Sequence, residues 1–243
     1  MDRLVFERMN EQEAVHWWFV ARRDLIRTTI KRVLNLPAKA EILEAGCGTG
    51  GNLELLQKLG TLDAFEYDHL AREIASGKSK LEVAFGALPN DIPFGQKPYD
   101  MIAIFDVLEH IEDDVAALRE LGTRLKAEGK VFVTVPALPW LWSPHDERHH
   151  HFRRYTGKRF RQTAQAAGLR VEKLFYFNSF LLPFVIGLRL VKTLIRSQSA
   201  DDNLPAAWLN KLLYKIFTSE RHLIGRVRMP IGLSIAAILI KGP

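Results

Sequence analysis

The 243-residue chain has one cysteine, Cys47, and no long apolar run. A single cysteine excludes an internal disulfide and a cysteine-rich zinc site, and it favours a reducing cytoplasm as the compartment. No apolar run reaches the ~20 residues that a membrane-spanning helix needs, and residues 1–8 do not resemble a signal peptide. Hydrophobic residues make up 47% and charged residues 26%, so we expect one cytoplasmic globular domain with a full core.

Acidic residues are fewer than basic ones, 28 against 34, which gives a net charge of +6. A positive field favours anionic partners such as nucleic acid, a phosphorylated metabolite or an acidic lipid, without choosing among them. The stretch 175–195 is apolar and is accompanied by the basic residues Arg189, Lys192 and Arg196. Helices that lie on anionic membranes combine apolar and basic residues in this way. Covering an apolar substrate pocket and core packing are the alternatives. We favour core packing, and peripheral membrane contact stays open.

Glycine is concentrated in one place, where residues 41–52 read Glu-Ile-Leu-Glu-Ala-Gly-Cys-Gly-Thr-Gly-Gly-Asn. A short apolar run precedes three alternate glycines, and an apolar-periodic segment follows them. A strand, a glycine turn and a helix in this order form a ligand cradle, because glycine adopts positive φ and a helix start offers free N–H groups. A tight turn that binds nothing is the alternative, and three glycines would then weaken the chain without need.

Strands and helices are predicted to alternate along the chain. Runs such as 99–105 are continuously apolar, which is typical of strands buried on both faces. The pattern predicts an α/β fold, namely a Rossmann-like, doubly wound, mostly parallel seven-stranded sheet with ligands at the carboxyl ends of its strands. We expect a single domain, 1–243, that comprises an N-terminal helical cap (1–39, starting at a capping box of Asn10 and Glu13), a cofactor-binding core (40–177), a helical insertion (178–230) and a final strand (231–243).

The glycines fit two cofactor classes. Residues 46, 48 and 51 satisfy G-x-G-x-x-G, the dinucleotide fingerprint, so an NAD-dependent oxidoreductase stays open. Glu44 lies two residues before the first glycine, and Glu-x-Gly-x-Gly-x-Gly resembles the first motif of class I S-adenosylmethionine-dependent methyltransferases. The resemblance implies that the loop wraps the methionine part of the cofactor and that the acid orients its amino group.

Further cofactor residues are expected after the next strands. Glu66 ends the second strand, 20 residues after the first glycine, where a carboxylate accepts hydrogen bonds from ribose hydroxyls. Asp68 suits capping the next helix. The resemblance implies that the loop after the third strand supports the adenine ring. The residues predicted to bind S-adenosylmethionine are Glu44, Gly46, Cys47, Gly48, Gly50, Asn52, Glu66, Tyr67, Gly86, Ala87, Leu88, Phe105 and Asp106.

Residues 105–111, Phe-Asp-Val-Leu-Glu-His-Ile, follow the fourth strand. They resemble the fourth motif of small-molecule methyltransferases, including quinone-biosynthesis enzymes. The resemblance implies that Asp106 faces the cofactor and that His110 reaches the substrate, and these are the two catalytic candidates. A histidine with a pKa near neutral can take a proton from an attacking hydroxyl. The alternative, equally open, is that Glu109 and His110 brace the loop.

A wider resemblance covers nearly the whole chain. Residues 140–155 contain Trp-Leu-Trp-Ser, then an aspartate, a histidine and Arg-Arg-Tyr, while residues 16–23 contain His-Trp-Trp-Phe and Arg-Arg. Both patterns are similar to one bacterial branch of these methyltransferases, and in this topology the later loop covers the mouth of the cofactor site. The predicted acceptor-binding residues are His16, Trp17, Trp18, Trp140, His145, His151, Arg153, Arg154 and Tyr155.

The same residue types are also common in roles that involve no ligand. Paired arginines suit a carboxylate or phosphate, but adjacent arginines are also common on solvated surfaces. His151, Arg153 and Arg154 can instead pair with Asp146 and Glu147. Some of the tryptophans belong to the core. Three consecutive histidines, 149–151, cannot all point at one ion in regular structure, although His145 and His149 could on a helix, so we predict no metal site.

The sequence therefore predicts an S-adenosylmethionine-dependent methyltransferase that acts by in-line displacement on a small-molecule, lipid-linked or glycan-linked acceptor. A nucleic-acid methyltransferase is an alternative, but the Asn-Pro-Pro-Tyr-type signature is missing after the fourth strand, so no nucleic acid partner is expected. An NAD-dependent oxidoreductase and a non-catalytic cofactor-binding scaffold at a membrane surface are further alternatives. Intact Glu44, Glu66 and Asp106 argue against the scaffold. The oligomeric state is not predicted.

Overall fold

The computed structural model describes residues 3–194 and 204–242, and within them the side chains of 6–188 and 204–242. Seven strands of these residues form one sheet. They are β1 (Ala40–Ala45), β2 (Gly60–Glu66), β3 (Ala84–Phe85), β4 (Tyr99–Phe105), β5 (Leu125–Pro136), β6 (Leu169–Phe177) and β7 (Ser234–Lys241).

The sheet has the order β3-β2-β1-β4-β5-β7-β6. Strands β1 to β5 are parallel to one another, and β7 runs antiparallel to both β5 and β6. The predicted α/β class and mostly parallel seven-stranded sheet are confirmed. Because β1 to β5 are parallel, the segments that follow them meet at one edge of the sheet, called here the carboxyl edge.

Helices lie on both faces of this sheet. They are α1 (Arg3–Gln12), α2 (Trp17–Thr29), which ends in a π-helical turn at Ile30–Leu34, α3 (Leu53–Gln57), α4 (His69–Ser79), α5 (Asp114–Thr123), α6 (Pro144–Arg148), α7 (Gly157–Ala166), α8 (Leu182–Leu194) and α9 (Ala207–Ser219). Alternate residues of β4 show the two faces, since Met101 and Ala103 pack with α2, α3 and α9, while Ile102 and Ile104 pack with α5 and α7.

The N-terminal cap starts differently from the sequence prediction. The capping box at Asn10 and Glu13 is wrong, because α1 already contains Asn10 and ends at Gln12. The following helix is capped by His16, whose Nδ1 accepts a hydrogen bond from the Trp18 backbone N–H at 3.3 Å. The local capping signal does not start a helix here, because α1 continues through Asn10 and ends at Gln12, before Glu13.

Part of the predicted helical insertion packs on α2. The Trp17 backbone N–H donates to Asn210 Oδ1 at 2.9 Å, and the Trp17 ring meets Phe217 edge-on at 5.9 Å. Tyr214 Oη donates to Asp24 Oδ2 at 2.8 Å. The cap and α9 thus form one layer on one face, whereas Leu182 and Ile186 of α8 pack with the core of the opposite face. The side chains of Arg189, Lys192 and Arg196, which motivated the membrane-surface expectation, lie outside the described residues. No helix in the described ranges is both long and apolar enough to cross a bilayer.

Candidate cofactor and acceptor site

The glycine loop leaves β1 at the carboxyl edge in a conformation that needs glycine. Gly46, Gly48 and Gly50 have φ values of 71°, 55° and 86°, in the left-handed region that other residues rarely adopt. The Gly46 N–H donates to Phe65 O at 2.9 Å, and a β-carbon on Gly46 would lie 2.8 Å from Val107 Cγ2. At Gly48 a β-carbon would meet only Met9 Cε, at 3.8 Å. The loop is therefore pinned at its start and open at its centre.

Glu44 lies beneath this loop with only 1% of its surface exposed. Its Oε1 accepts a hydrogen bond from Asn52 Nδ2 at 3.1 Å, and its Oε2 has no hydrogen-bond partner in the described part of the chain. Burial raises the pKa of Glu44 from 4.5 to about 8, against the opposing effect of Asn52. A buried carboxylate oxygen without a partner, next to a glycine cradle, fits the ammonium group of an amino-acid ligand.

Cys47 is buried within the loop, and burial raises the pKa of its thiol far above the ordinary value. The thiol therefore stays protonated at neutral pH, and Cys47 acts as a small apolar side chain rather than as a nucleophile.

Glu66 ties the end of β2 to the glycine loop. Its Oε2 accepts a hydrogen bond from the Gly48 N–H at 2.8 Å, and its Oε1 accepts one from the Asp68 N–H at 2.9 Å. Burial raises the pKa of Glu66 although these backbone donors oppose the shift. Asp68 caps α4 as predicted, accepting from the Ala71 N–H at 3.0 Å. Each carboxylate oxygen of Glu66 has a second lone pair, so the acid can hold the loop and accept further hydrogen bonds.

The ends of β2 and β3 carry two exposed aromatic rings. Tyr67 is 69% exposed and lies 5.9 Å from the ring of Phe85. The loop after β3 is tight at Gly86, where a β-carbon would lie 2.6 Å from the Phe65 ring, and Ala87 exchanges backbone hydrogen bonds with Asp91. Leu88 packs against the core on the α5 and α7 face. The predicted adenine-binding segment thus stands beside Glu66 at the same edge.

Asp106 follows β4 with a φ of 54° and forms an ion pair with Arg22 of α2. Arg22 is buried, donates to Thr134 Oγ1 at 3.1 Å, and stacks its guanidinium over the rings of Trp18 (5.2 Å) and Phe105 (5.7 Å). Arg22 therefore connects the cap to the ends of β4 and β5. The sequence prediction used Arg22 only as part of the motif 16–23 and missed its ion pair with Asp106. The available signal was its position one helical turn after Trp18.

Glu13 closes the cap over the glycine loop, and sequence reasoning missed this too. Its Oε2 accepts from Thr49 Oγ1 at 2.8 Å, while its Oε1 pairs with Lys78 of α4. A β-carbon on Gly51 would lie 2.7 Å from Glu13 Oε2. The turn between α1 and α2 therefore covers the loop directly.

His110 and His151 meet on the other side of Asp106. His110 ends a 3₁₀ turn, Leu108–His110, and its ring lies 4.6 Å from that of His151, edge to face. Burial, followed by the charges of His151 and His149, lowers the pKa of His110 to about 3. The ring is therefore neutral at physiological pH.

Asp146 organises the loop that contains His151. Its Oδ1 lies 2.9 Å from His151 Nδ1 and accepts from Arg154 Nε at 2.7 Å, while its Oδ2 accepts from Ser143 N at 2.9 Å. Although burial acts in the opposite direction, the hydrogen bonds from His151 and Arg154 hold the pKa of Asp146 well below its ordinary value. The pairing of His151 and Arg154 with Asp146, which the sequence left open, is present, and their binding of an acceptor stays a prediction.

A methyltransferase domain family matches residues 18–174. The chain belongs to this methyltransferase family. Two Mycobacterium tuberculosis proteins (strains CDC 1551 and H37Rv), named as probable S-adenosylmethionine-dependent methyltransferases, are 30% identical to it over 98 residues, which is 40% of this chain and 35% of theirs. The chain thus spans about a third of the length of the curated relatives it matches.

Solved structures of methyltransferases share the fold. A TehB-like protein from Corynebacterium glutamicum has 18% identity and a TM-score of 0.54, over 91% of this chain and 87% of that one. An S-adenosylmethionine-dependent methyltransferase from Clostridium acetobutylicum has 12% identity and a TM-score of 0.60, over 92% of both chains. The solved structures confirm the fold. The family match confirms the predicted methyltransferase class, with S-adenosylmethionine as its cofactor, and favours it over the oxidoreductase alternative.

The predicted acceptor-binding residues of this methyltransferase lie in different surroundings. Trp140 is 61% exposed and His145 is exposed, both after the end of β5. Trp18 stacks on Arg22 beside the site, whereas His16 caps α2 and Trp17 packs on α9. The contact of these residues with an acceptor stays a prediction.

The last part of the loop is engaged with α5. Arg153 pairs with Asp114 at 3.0 Å and donates to Glu112 O at 2.7 Å. Tyr155 is fully buried, and its hydroxyl donates to Asp114 Oδ2 at 2.7 Å. Burial and this hydrogen bond raise the pKa of Tyr155 far above its ordinary value. Arg153 and Tyr155 thus hold the loop against α5, and their contact with an acceptor stays a prediction.

Proposed function

We propose that this chain transfers the methyl group of S-adenosylmethionine to a small-molecule acceptor, with lipid-linked and glycan-linked acceptors as the finer alternatives. The observation that supports this most directly is the unpaired Oε2 of buried Glu44 behind a loop of three left-handed glycines. When bound, the cofactor supplies a methyl group that its sulfonium already activates.

The residues at the carboxyl edge would hold this cofactor as follows. Glu44 accepts hydrogen bonds from the ammonium group, and the loop 46–52 lets the backbone approach the methionine part. Glu66 accepts from the ribose hydroxyls with the lone pairs that Gly48 and Asp68 leave, and Tyr67 lies beside it. The loop 86–88 supports the adenine ring, and Phe105 and Asp106 flank the methionine side.

The main task of the protein is alignment of the two reactants. Holding two reactants in line can lower the barrier by ~7–11 kcal/mol, whereas one positioned base contributes ~10²–10⁴-fold in rate. Cap residues Glu13 and Arg22 exclude water on the α2 side, since both are buried against the edge. We therefore expect loss of His110 to reduce turnover less than loss of the glycine loop.

The acceptor is proposed to lie between the cap and the loop after β5. Trp140 and His145 of that loop and Trp18 of α2 are its contacts, and His151 stands behind them with Asp146. An anionic acceptor group would meet Arg153 and Arg154 only if it shared them with Asp114 and Asp146.

Calorimetry with S-adenosylhomocysteine tests the cofactor assignment, and NADH is the parallel titration. We expect heat with S-adenosylhomocysteine and none with NADH. Gly48→Val should abolish this heat, because valine disfavours φ 55° and fills the open centre of the loop, whereas Gly77→Ala on the exposed face of α4 should keep it. Folded protein that gives no heat with S-adenosylhomocysteine would refute the proposal.

Transfer of labelled methyl groups into a cell extract, followed by mass spectrometry, then identifies the acceptor.

A further inference from the structure

A carboxylate and two imidazoles cluster beside Asp106. Glu109, His110 and His151 each offer one ligand atom, and these three atoms lie within 4.8 Å of one another. The first two follow β4, and the third belongs to the loop after α6. The Phe152 backbone N–H donates to Glu109 O at 2.8 Å, which fixes the two segments together.

The ring of His151 is oriented as a metal ligand. Its Nδ1 lies 2.9 Å from Asp146 Oδ1, so the ring proton is held on Nδ1 and the lone pair of Nε2 is directed elsewhere. Asp146 is itself fully buried and fixed by Arg154 and Ser143. A carboxylate that orients the second nitrogen of a histidine is the usual outer partner of a metal-bound imidazole.

Glu109 supplies an independent observation. It is 1% exposed, and its Oε2 has no hydrogen-bond partner among the described residues. A buried carboxylate oxygen without a donor is costly unless a cation neutralises it. The side chain therefore lacks a partner in the same place where the two imidazoles converge.

We propose that Glu109, His110 and His151 bind one divalent metal ion of the Zn²⁺ type. Two imidazoles and a carboxylate with a further open position are the donor set of catalytic zinc sites, and nitrogen–oxygen sets of this kind exclude soft Cu(I). The expectation of no metal considered only residues 145–151. The structure supplies the carboxylate and one imidazole from the β4 segment instead.

The place of this ion relative to the proposed methyl transfer rests on the proposed function. Its open coordination position would take an acceptor oxygen and lower the pKa of its hydroxyl. The hydroxyl proton goes to solvent, the oxygen forms the new bond to the methyl carbon, and the C–S bond breaks with its electron pair going to sulfur. S-adenosylhomocysteine and a methyl ether result.

Metal binding is tested on the full chain, stripped with a chelator and titrated with Zn²⁺ by calorimetry and with Co²⁺ by visible absorption. We expect one ion per chain. Glu109→Gln and His151→Gln should each weaken binding by about 100-fold, and Asp146→Asn, which changes the outer partner of His151 and keeps the shape that Ser143 and Arg154 contact, by about 10-fold. His150→Asn is the matched control, since asparagine tolerates φ 53°, and it should bind as the wild type does.

Circular dichroism melting shows whether each variant is folded, and only folded variants are compared. Equal Zn²⁺ affinity in the wild type and His151→Gln, or loss of binding on His145→Ala alone, would overturn the site. S-adenosylhomocysteine binding is measured separately on the stripped protein. Cofactor binding without any metal binding therefore refutes this inference alone and leaves the proposed methyl transfer standing.

Discussion

Replacing Glu44 by glutamine should stabilise the unliganded protein at neutral pH while removing its affinity for the cofactor. The carboxyl is buried and one oxygen lacks a partner, so the folded chain favours the protonated form. Glutamine keeps the shape and the Asn52 hydrogen bond to Oε1 but carries no charge at any pH. The same change deletes the carboxylate that would pair with the ammonium group of S-adenosylmethionine.

The magnitude follows from the raised pKa of Glu44, about 8 against an ordinary 4.5. As pH rises above 4.5 the unfolded chain loses this proton and the folded chain retains it until about pH 8, so folding stability falls across that window. At 1.36 kcal/mol per pH unit, the wild type loses about 3 kcal/mol of folding stability between pH 4.5 and pH 7. Below pH 4.5 Glu44 is protonated in both the folded and the unfolded chain, so it no longer makes folding stability depend on pH.

Urea unfolding of wild type and Glu44→Gln at pH 5, 6, 7 and 8 measures this difference. We expect the difference in unfolding free energy between Glu44→Gln and the wild type to grow from pH 5 to pH 8. At pH 7 the variant should be more stable by about 1–3 kcal/mol, after subtracting the cost of its unpaired amide N–H groups. Glu82→Gln, at an exposed position, should show no such trend. Calorimetry should find S-adenosylhomocysteine binding lost in Glu44→Gln. A variant that is less stable at pH 7, or that binds the ligand as wild type does, would refute the reasoning.

Three further predictions concern the same edge of the sheet. Gly46→Ala should lower stability by about 2–4 kcal/mol in urea unfolding, because φ is 71° and Val107 is too close, while Gly77→Ala in α4 should stabilise by up to ~1 kcal/mol. Arg22→Met should cost about 1–3 kcal/mol by leaving half-buried Asp106 without its partner, and most of that loss should be recovered in the double variant with Asp106→Asn. Tyr67→Ala should weaken S-adenosylhomocysteine binding in calorimetry with an unchanged melting temperature, since the ring is exposed; unchanged affinity would contradict its predicted place in the site.

The parts of the fold that sequence predicted well carry local signals. The bounds of β4 agree with the predicted apolar run 99–105, because a continuous apolar run marks both of its ends. β5 begins at Leu125, before the apolar run that follows Gly129, because Leu125 already pairs with Tyr99 of β4. Residues 126–129 form an irregularity, and pairing resumes between Lys130 and Met101, which the sequence pattern does not indicate.

The site was predictable only as far as the strand ends determine it. Glu44, Glu66 and Asp106 each end or follow a parallel strand, so the topology alone brings them to one edge. Their partners could not be predicted, because Arg22 reaches Asp106 and Glu13 reaches Thr49 only after the cap folds onto the sheet. Likewise, His151 meets His110 through a loop whose course Asp146 decides.

The reversed direction of β7 has a consequence for how acceptor preference can change. Phe177 at the end of β6 and Pro136 at the end of β5 both pair with Ser234 at the start of β7, so the whole arc 178–233 leaves and re-enters the sheet at its carboxyl edge. Lengthening a connection whose ends are already adjacent costs little conformational entropy. Changes within this arc therefore reach the proposed acceptor contacts through α9 and the cap, while the strands and turns of the carboxyl edge stay in place.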